Sequence, residues 1–125
     1  MIDKPSRSKR VLIVDDEPII AMDLESSLVD AGYEIAGVTG RIATALLLVE
    51  SEIIDVAILD ANLGGEDSTP VAVALSARGV PFLVCSGYDA HQLPPALRGA
   101  PFLRKLANSN EIIETVNGML AARTI

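Results

Sequence analysis

Short, unbroken apolar runs that each stop at a polar residue constrain this chain more than any other feature. Val11-Leu12-Ile13-Val14 ends in Asp15-Asp16, Val56-Ala57-Ile58-Leu59 ends in Asp60, and Phe82-Leu83-Val84-Cys85 ends in Ser86-Gly87. A strand with one wet face alternates apolar and polar residues, so an unbroken run fits a strand covered on both faces of a parallel sheet. Between the runs the spacing becomes helical. Ile20, Ala21, Leu24, Leu28 and Ala31 share one face, with Pro18 in the first turn and Gly32 just past the end. A second strand is read at 34–38 and a helix over 42–51 that is apolar almost all round. After Gly64-Gly65 a helix is read over 70–78, and a short fifth strand over 101–104 leads to Lys105. Pro94-Pro95 weaken any helix between the fourth and fifth strands. Asn108 followed three residues later by Glu111 reads as a capping box, opening a last helix that buries Ile112, Ile113, Val116 and Leu120. Strands alternating with helices imply an α/β fold with a parallel sheet covered on both sides. With 125 residues there is room for one core. Residues 9–125 are therefore read as a single domain and 1–8 as a flexible tail.

Ligands of such sheets collect at the carboxyl ends of the strands. The residues there are Asp15 and Asp16 after the first strand, Asp60 after the third, Ser86 after the fourth and Lys105 after the fifth. In the expected strand order 2-1-3-4-5 the first and third strands are neighbours, so three carboxylates crowd one edge. Like charges at a few ångströms stay ionised only beside a compensating cation. Oxygen ligands without His or Cys select Mg²⁺ or Mn²⁺. A cation and Lys105 together make a place for a phosphoryl group, and a carboxylate there is able to act as nucleophile.

These pieces in this order resemble the receiver domain of bacterial two-component response regulators. The resemblance rests on Val11-Leu12-Ile13-Val14-Asp15-Asp16-Glu17-Pro18, Ile58-Leu59-Asp60, Ser86-Gly87-Tyr88 and Lys105, and runs from about Lys9 to Ala122. It implies a flavodoxin-like (βα)5 doubly wound sheet and a stand-alone switch without an output domain. Asp60 would accept phosphate from a sensor histidine kinase or a histidine phosphotransfer protein. It further implies that Asp15, Asp16, Asp60 and the backbone carbonyl of Asn62 hold Mg²⁺. Ser86 and Lys105 would contact the phosphoryl oxygens, and Ser86 and Phe102 would move together as the switch. The segment Val80-Pro81-Phe82-Leu83-Val84-Cys85-Ser86-Gly87-Tyr88 is similar to the atypical receiver subgroup with a Phe-Ala-Thr-Gly-Tyr stretch, which implies a fourth helix reduced to a mobile segment. The chain departs from the family at Leu106, where Pro normally follows the lysine. A cis bond without proline costs about 2.5–4 kcal/mol, so a trans bond is expected there and the placement of Lys105 is open. A receiver-like binding module that is never phosphorylated is the alternative that Leu106 favours.

Other classes fit less well. The net charge of −7 is a poor match for nucleic-acid phosphates. No uncharged run exceeds ten residues, whereas a membrane helix needs roughly 20. The N-terminal segment has basic residues but no apolar stretch of a signal peptide, and Cys85 has no disulfide partner, so a reducing cytoplasm is the expected location. A phosphatase with an aspartyl nucleophile would need a second carboxylate where Asn62 stands, so the chain is not read as an enzyme. Gly64-Gly65 are read as a flexible turn, since no Gly-Lys-Ser/Thr follows. Cys85 is read as a small core residue, His91 as solvated, and the apolar helix 42–51 as covered rather than as a partner surface. Homodimerisation through the fifth strand and last helix is left open.

Overall fold

The computed structural model describes residues 8–87, 92–105 and 108–123; residues 1–7 of the tail expected at 1–8, Tyr88, His91 and the Lys105–Leu106 junction lie outside them. The main sheet has five parallel strands: β1 (Arg10–Val14), β2 (Glu34–Thr39), β3 (Val56–Asp60), β4 (Phe82–Ser86) and β5 (Phe102–Arg104). Their order is β2-β1-β3-β4-β5, the doubly wound arrangement expected from the sequence. Among the described residues, four α-helices connect and cover them: α1 (Pro18–Asp30), α2 (Ile42–Ser51), α3 (Thr69–Ala77) and α4 (Ser109–Arg123). Between β4 and β5, the described part of the connection (residues 92–101) includes a 3-10 turn, Pro95–Leu97. The two prolines that argue against an α-helix fit this turn.

The unbroken runs are buried for the reason anticipated. Val11, Leu12, Ile13 and Val14 have no exposed surface, and successive residues feed opposite cores. Leu12, Val14, Ala57, Leu59 and Val84 face the side covered by α2 and α3. Val11, Ile13, Val56, Ile58 and Leu83 face the side covered by α1 and α4, where Leu28 and Val116 are fully buried. Burying one such aliphatic side chain contributes roughly 1.5–3 kcal/mol, so a polar substitution on either face of β1 or β3 removes support from one whole layer. Helix α2 is less covered than its composition suggests: Ala45 and Val49 are buried, but Leu47 is exposed. Among the described residues, no helix is long and apolar enough to cross a membrane.

Two local features position the carboxyl edge. Residues Asn62–Leu63 and Glu66–Asp67 pair as a small antiparallel ribbon that the sequence does not announce. Gly64 and Gly65 have φ of 61° and 92°, which a two-residue hairpin turn requires at both central positions. At the opposite end of the sheet, the Arg10 amide donates to Asp55 Oδ2 at 2.7 Å and its guanidinium meets Glu52 at 2.9 Å, Glu34 and the Ile53 carbonyl. This network ties β1, β2 and the start of β3 together at the end away from Asp15 and Asp60.

Candidate phosphoryl and metal site

Parallel pairing brings the strand ends level. Val14 lies opposite Leu59, so Asp15 and Asp60, each one residue on, emerge side by side from β1 and β3. Asp60 is in turn opposite Cys85, which places Ser86 next to it. The backbone amide of Lys105 donates to the Ser86 carbonyl at 3.0 Å, which brings the lysine to the same edge. Asp15, Asp60 and Ser86 are buried, whereas Asp16 and Glu17 are exposed.

Lys105 is the hub. Its Nζ stands 2.8 Å from Asp60 Oδ2 and 3.4 Å from Asp15 Oδ1, and it also pairs with Glu17. The lysine therefore reaches the acidic centre with Leu106 as its neighbour. Backbone amides also hold the carboxylates. Asn62 N donates to Asp60 Oδ1 at 3.2 Å, Glu17 N to Asp15 Oδ1 at 2.9 Å, and Gly64 N to Asp16 Oδ2 at 2.8 Å. Asn62 Oδ1 accepts from Gly65 N at 3.0 Å, fastening the ribbon to the turn after β3. A cavity of about 320 Å³ opens here, lined by Asp16, Glu17, Asp60, Asn62, Ser86, Gly87 and Lys105.

The electrostatics are those of an acidic cluster short of positive charge. Burial pushes the Asp60 carboxyl from 3.8 up to about 6, although Lys105 and the Asn62 amide pull the other way. Burial also raises Asp15, against the opposing Glu17 amide and Lys105. Burial alone would weaken the Lys105 ammonium, but the carboxylates of Asp60 and Glu17 overcome it and raise its pKa, so it stays charged. Carboxylate oxygens of Asp15, Asp16, Glu17 and Asp60 lie within 4.8 Å of one another. This all-oxygen set, with two of its members disfavoured as ions by burial, has the chemistry of a hard divalent cation site.

All residues singled out from the sequence except Phe102 gather here. Phe102 lies on β5 opposite Val84, half-buried against the α2/α3 core. Three participants were not singled out. Glu17 is a third carboxylate partner of Lys105, and its place directly after Asp15-Asp16 was the available signal. The Gly64 amide binds Asp16, which nothing in the local sequence indicates. Gly40, at the end of β2, packs against the Asp16 backbone; its position at the carboxyl end of the strand beside β1 was the only hint.

A five-stranded parallel sheet with an acidic cluster and a lysine converging at its carboxyl edge defines a receiver. The chain belongs to the response regulator receiver domain family, whose profile matches residues 11–117. Among proteins of known sequence it is similar to the transcriptional regulatory protein PdtaR of Mycobacterium tuberculosis, 29% identical over 109 residues, covering 86% of this chain and 53% of PdtaR. It is also 26% identical to the virulence regulator BvgA of Bordetella pertussis, covering 92% of this chain and 57% of BvgA. The chain thus spans about half the length of the curated relatives it matches. Among solved structures, SdrG of Sphingomonas melonis Fr1 is 40% identical, with a TM-score of 0.79 over 93% of this chain and 99% of SdrG. A CheY-like receiver domain from Methanospirillum hungatei superposes with a TM-score of 0.81 over 94% of this chain and 97% of its own, at 23% identity. A BeF3-activated conformation of SdrG is 41% identical, with a TM-score of 0.75 over 89% of this chain and 95% of that one.

Proposed function

We propose that this receiver domain accepts a phosphoryl group on Asp60 from the phosphohistidine of a sensor histidine kinase or histidine phosphotransfer protein, and that the modification switches its contacts with other proteins. The observation that carries the reading is Asp60 itself: a buried carboxylate, gripped by Asn62 N–H and Lys105 Nζ, on the wall of a cavity large enough for a phosphoryl group. An Asp60 oxygen attacks phosphorus, the bond from phosphorus to the histidine nitrogen breaks, and the imidazole leaves with that electron pair. Lys105 opposes the charge that develops on the phosphoryl oxygens, and the Ser86 hydroxyl donates to one of them. Residues Asp15, Asp16, Asp60 and the Asn62 carbonyl would hold Mg²⁺ or Mn²⁺. When bound, such a cation supplies the positive charge that four neighbouring carboxylates and an incoming phosphoryl group need. The activated form of SdrG supports a switch of this kind. Ser86 moving toward the phosphate, with Phe102 repacking against Val84, is the proposed route outward from the site.

Incubation with acetyl phosphate and Mg²⁺, followed by intact mass measurement, tests this. We expect a gain of one phosphoryl group in the wild type and none in Asp60→Asn. No gain in the wild type, with Mg²⁺ bound only weakly, would instead support the receiver-like binding module that is not phosphorylated. We expect no turnover of small phosphomonoesters, since Asn62 stands where a phosphatase would need an acid; turnover would return the chain to the enzymes.

A further inference from the structure

An ideal Cβ built on Gly40 would stand 2.6 Å from Asp16 Cα, 3.0 Å from Asp16 Cβ and 3.1 Å from the Asp15 carbonyl oxygen. Two of these three are backbone atoms, so no flexible side chain can swing aside. Gly40 is not among the glycines with positive φ, so space rather than backbone conformation demands glycine. Gly37, on β2, offers a contrast: its Cβ would meet only side-chain tips, chiefly Leu48 Cδ1 at 2.8 Å and Cδ2 at 3.2 Å.

We propose that Gly40 is a positioning residue for the acidic pair: its bare backbone lets the loop after β2 close onto Asp15-Asp16 and sets their spacing from Asp60. The proposal rests on the reading of this site as a divalent-cation and phosphoryl site. The loop cannot retreat independently of the pair, because Asp15 N donates to the Thr39 carbonyl at 2.9 Å. Arg41 N donates to Thr39 Oγ1 at 3.1 Å and fixes the turn on the other side of Gly40. A side chain at position 40 therefore either pushes the Asp16 backbone or drags Asp15 through that bond. Asp60, carried by β3, does not follow. Asp16 Oδ2 is also tied to Gly64 N at 2.8 Å, so that amide reports any shift of Asp16.

Calorimetric titration of Mg²⁺ into the full chain, with amide NMR spectra of the metal-free protein, tests the proposal. We expect Gly40→Ala to weaken Mg²⁺ binding by about tenfold or more, in the range of changes that displace ligand-orienting groups, and to shift the Gly64 amide. Gly37→Ala is expected to bind within about twofold of wild type whatever it costs in stability. Gly40→Ala binding like wild type, or Gly37→Ala losing affinity equally, overturns the proposal. Should Gly40→Ala fail to fold, Thr39→Val decides, since it loosens the same turn while leaving Gly40 in place. A loss of about threefold or more supports the proposal and an unchanged affinity overturns it. A wild type that binds no Mg²⁺ is a different failure, one of the site reading itself, and the proposal falls with it.

Discussion

Asp60 is held in a tension between burial and pairing that makes its own pH test. Its carboxyl titrates at about 6 in the folded chain, against 3.8 ordinarily. A raised carboxyl pKa means the folded state binds the extra proton, so the group's contribution to stability is greatest below pH 3.8 and is lost as pH rises to about 6. At 1.36 kcal/mol per unit the loss is about 3 kcal/mol. We expect the metal-free wild type to melt progressively lower than metal-free Asp60→Asn between those pH values, with a constant gap above. A gap independent of pH would refute the raised pKa. Lys105→Met removes the ammonium that opposes burial, so the Asp60 carboxyl should titrate higher still, read from its carboxyl carbon by NMR. Its phosphoryl uptake from acetyl phosphate should fall by about a hundredfold, the usual loss for one charge-stabilising donor. Cys85 lies opposite Asp60 in the sheet, and burial with the nearby Asp15 and Asp60 pushes its thiol up to about 12. It is the small buried core residue that the sequence suggested, and the raised pKa keeps it a thiol at neutral pH.

Elements are legible in this sequence to the extent that local chemistry fixes them. The capping box of α4 forms as read: Glu111 N donates to Asn108 Oδ1 at 2.9 Å and Asn108 N to Glu111 Oε1 at 3.3 Å. Asn108→Ala should therefore cost about 1 kcal/mol, measured by urea denaturation, without changing Mg²⁺ affinity. An accompanying loss of affinity would mean that α4 supports the site directly. At α1 the acidic residues do something other than cap. Glu17 occupies the N-cap position without a side-chain capping bond, and its carboxylate goes to Lys105 instead. The Gly64-Gly65 turn was anticipated, but not the ribbon around it. Two-residue strands carry too little periodicity to read, and this one depends on Gly64 N reaching Asp16, 48 residues away. Likewise, the apolar composition of α2 said nothing about which residues α3 would cover, and Leu47 remains exposed.

For the whole molecule, the proposed cation binding would be linked to folding, because the carboxylates meet only when the sheet is assembled. Mg²⁺ should therefore raise the melting temperature of the wild type, with a stabilisation of about 2.7 kcal/mol at a concentration 100 times Kd. Asp16→Asn should shrink that shift. An equal shift in the variant would place the ion elsewhere. The sequence by itself determined that five strands alternate with helices, because unbroken aliphatic runs are stable only between two covered faces. It also determined which residues stand at the strand ends, since each run stops at its first polar side chain. Tertiary structure alone decided what those side chains do. Register brought Asp15 level with Asp60, the close pass of Gly40 against Asp16 set the acidic turn, and Lys105 chose three carboxylate partners from three positions. Such choices depend on distances across the sheet and between loops. Residue order constrains those distances only through the completed packing.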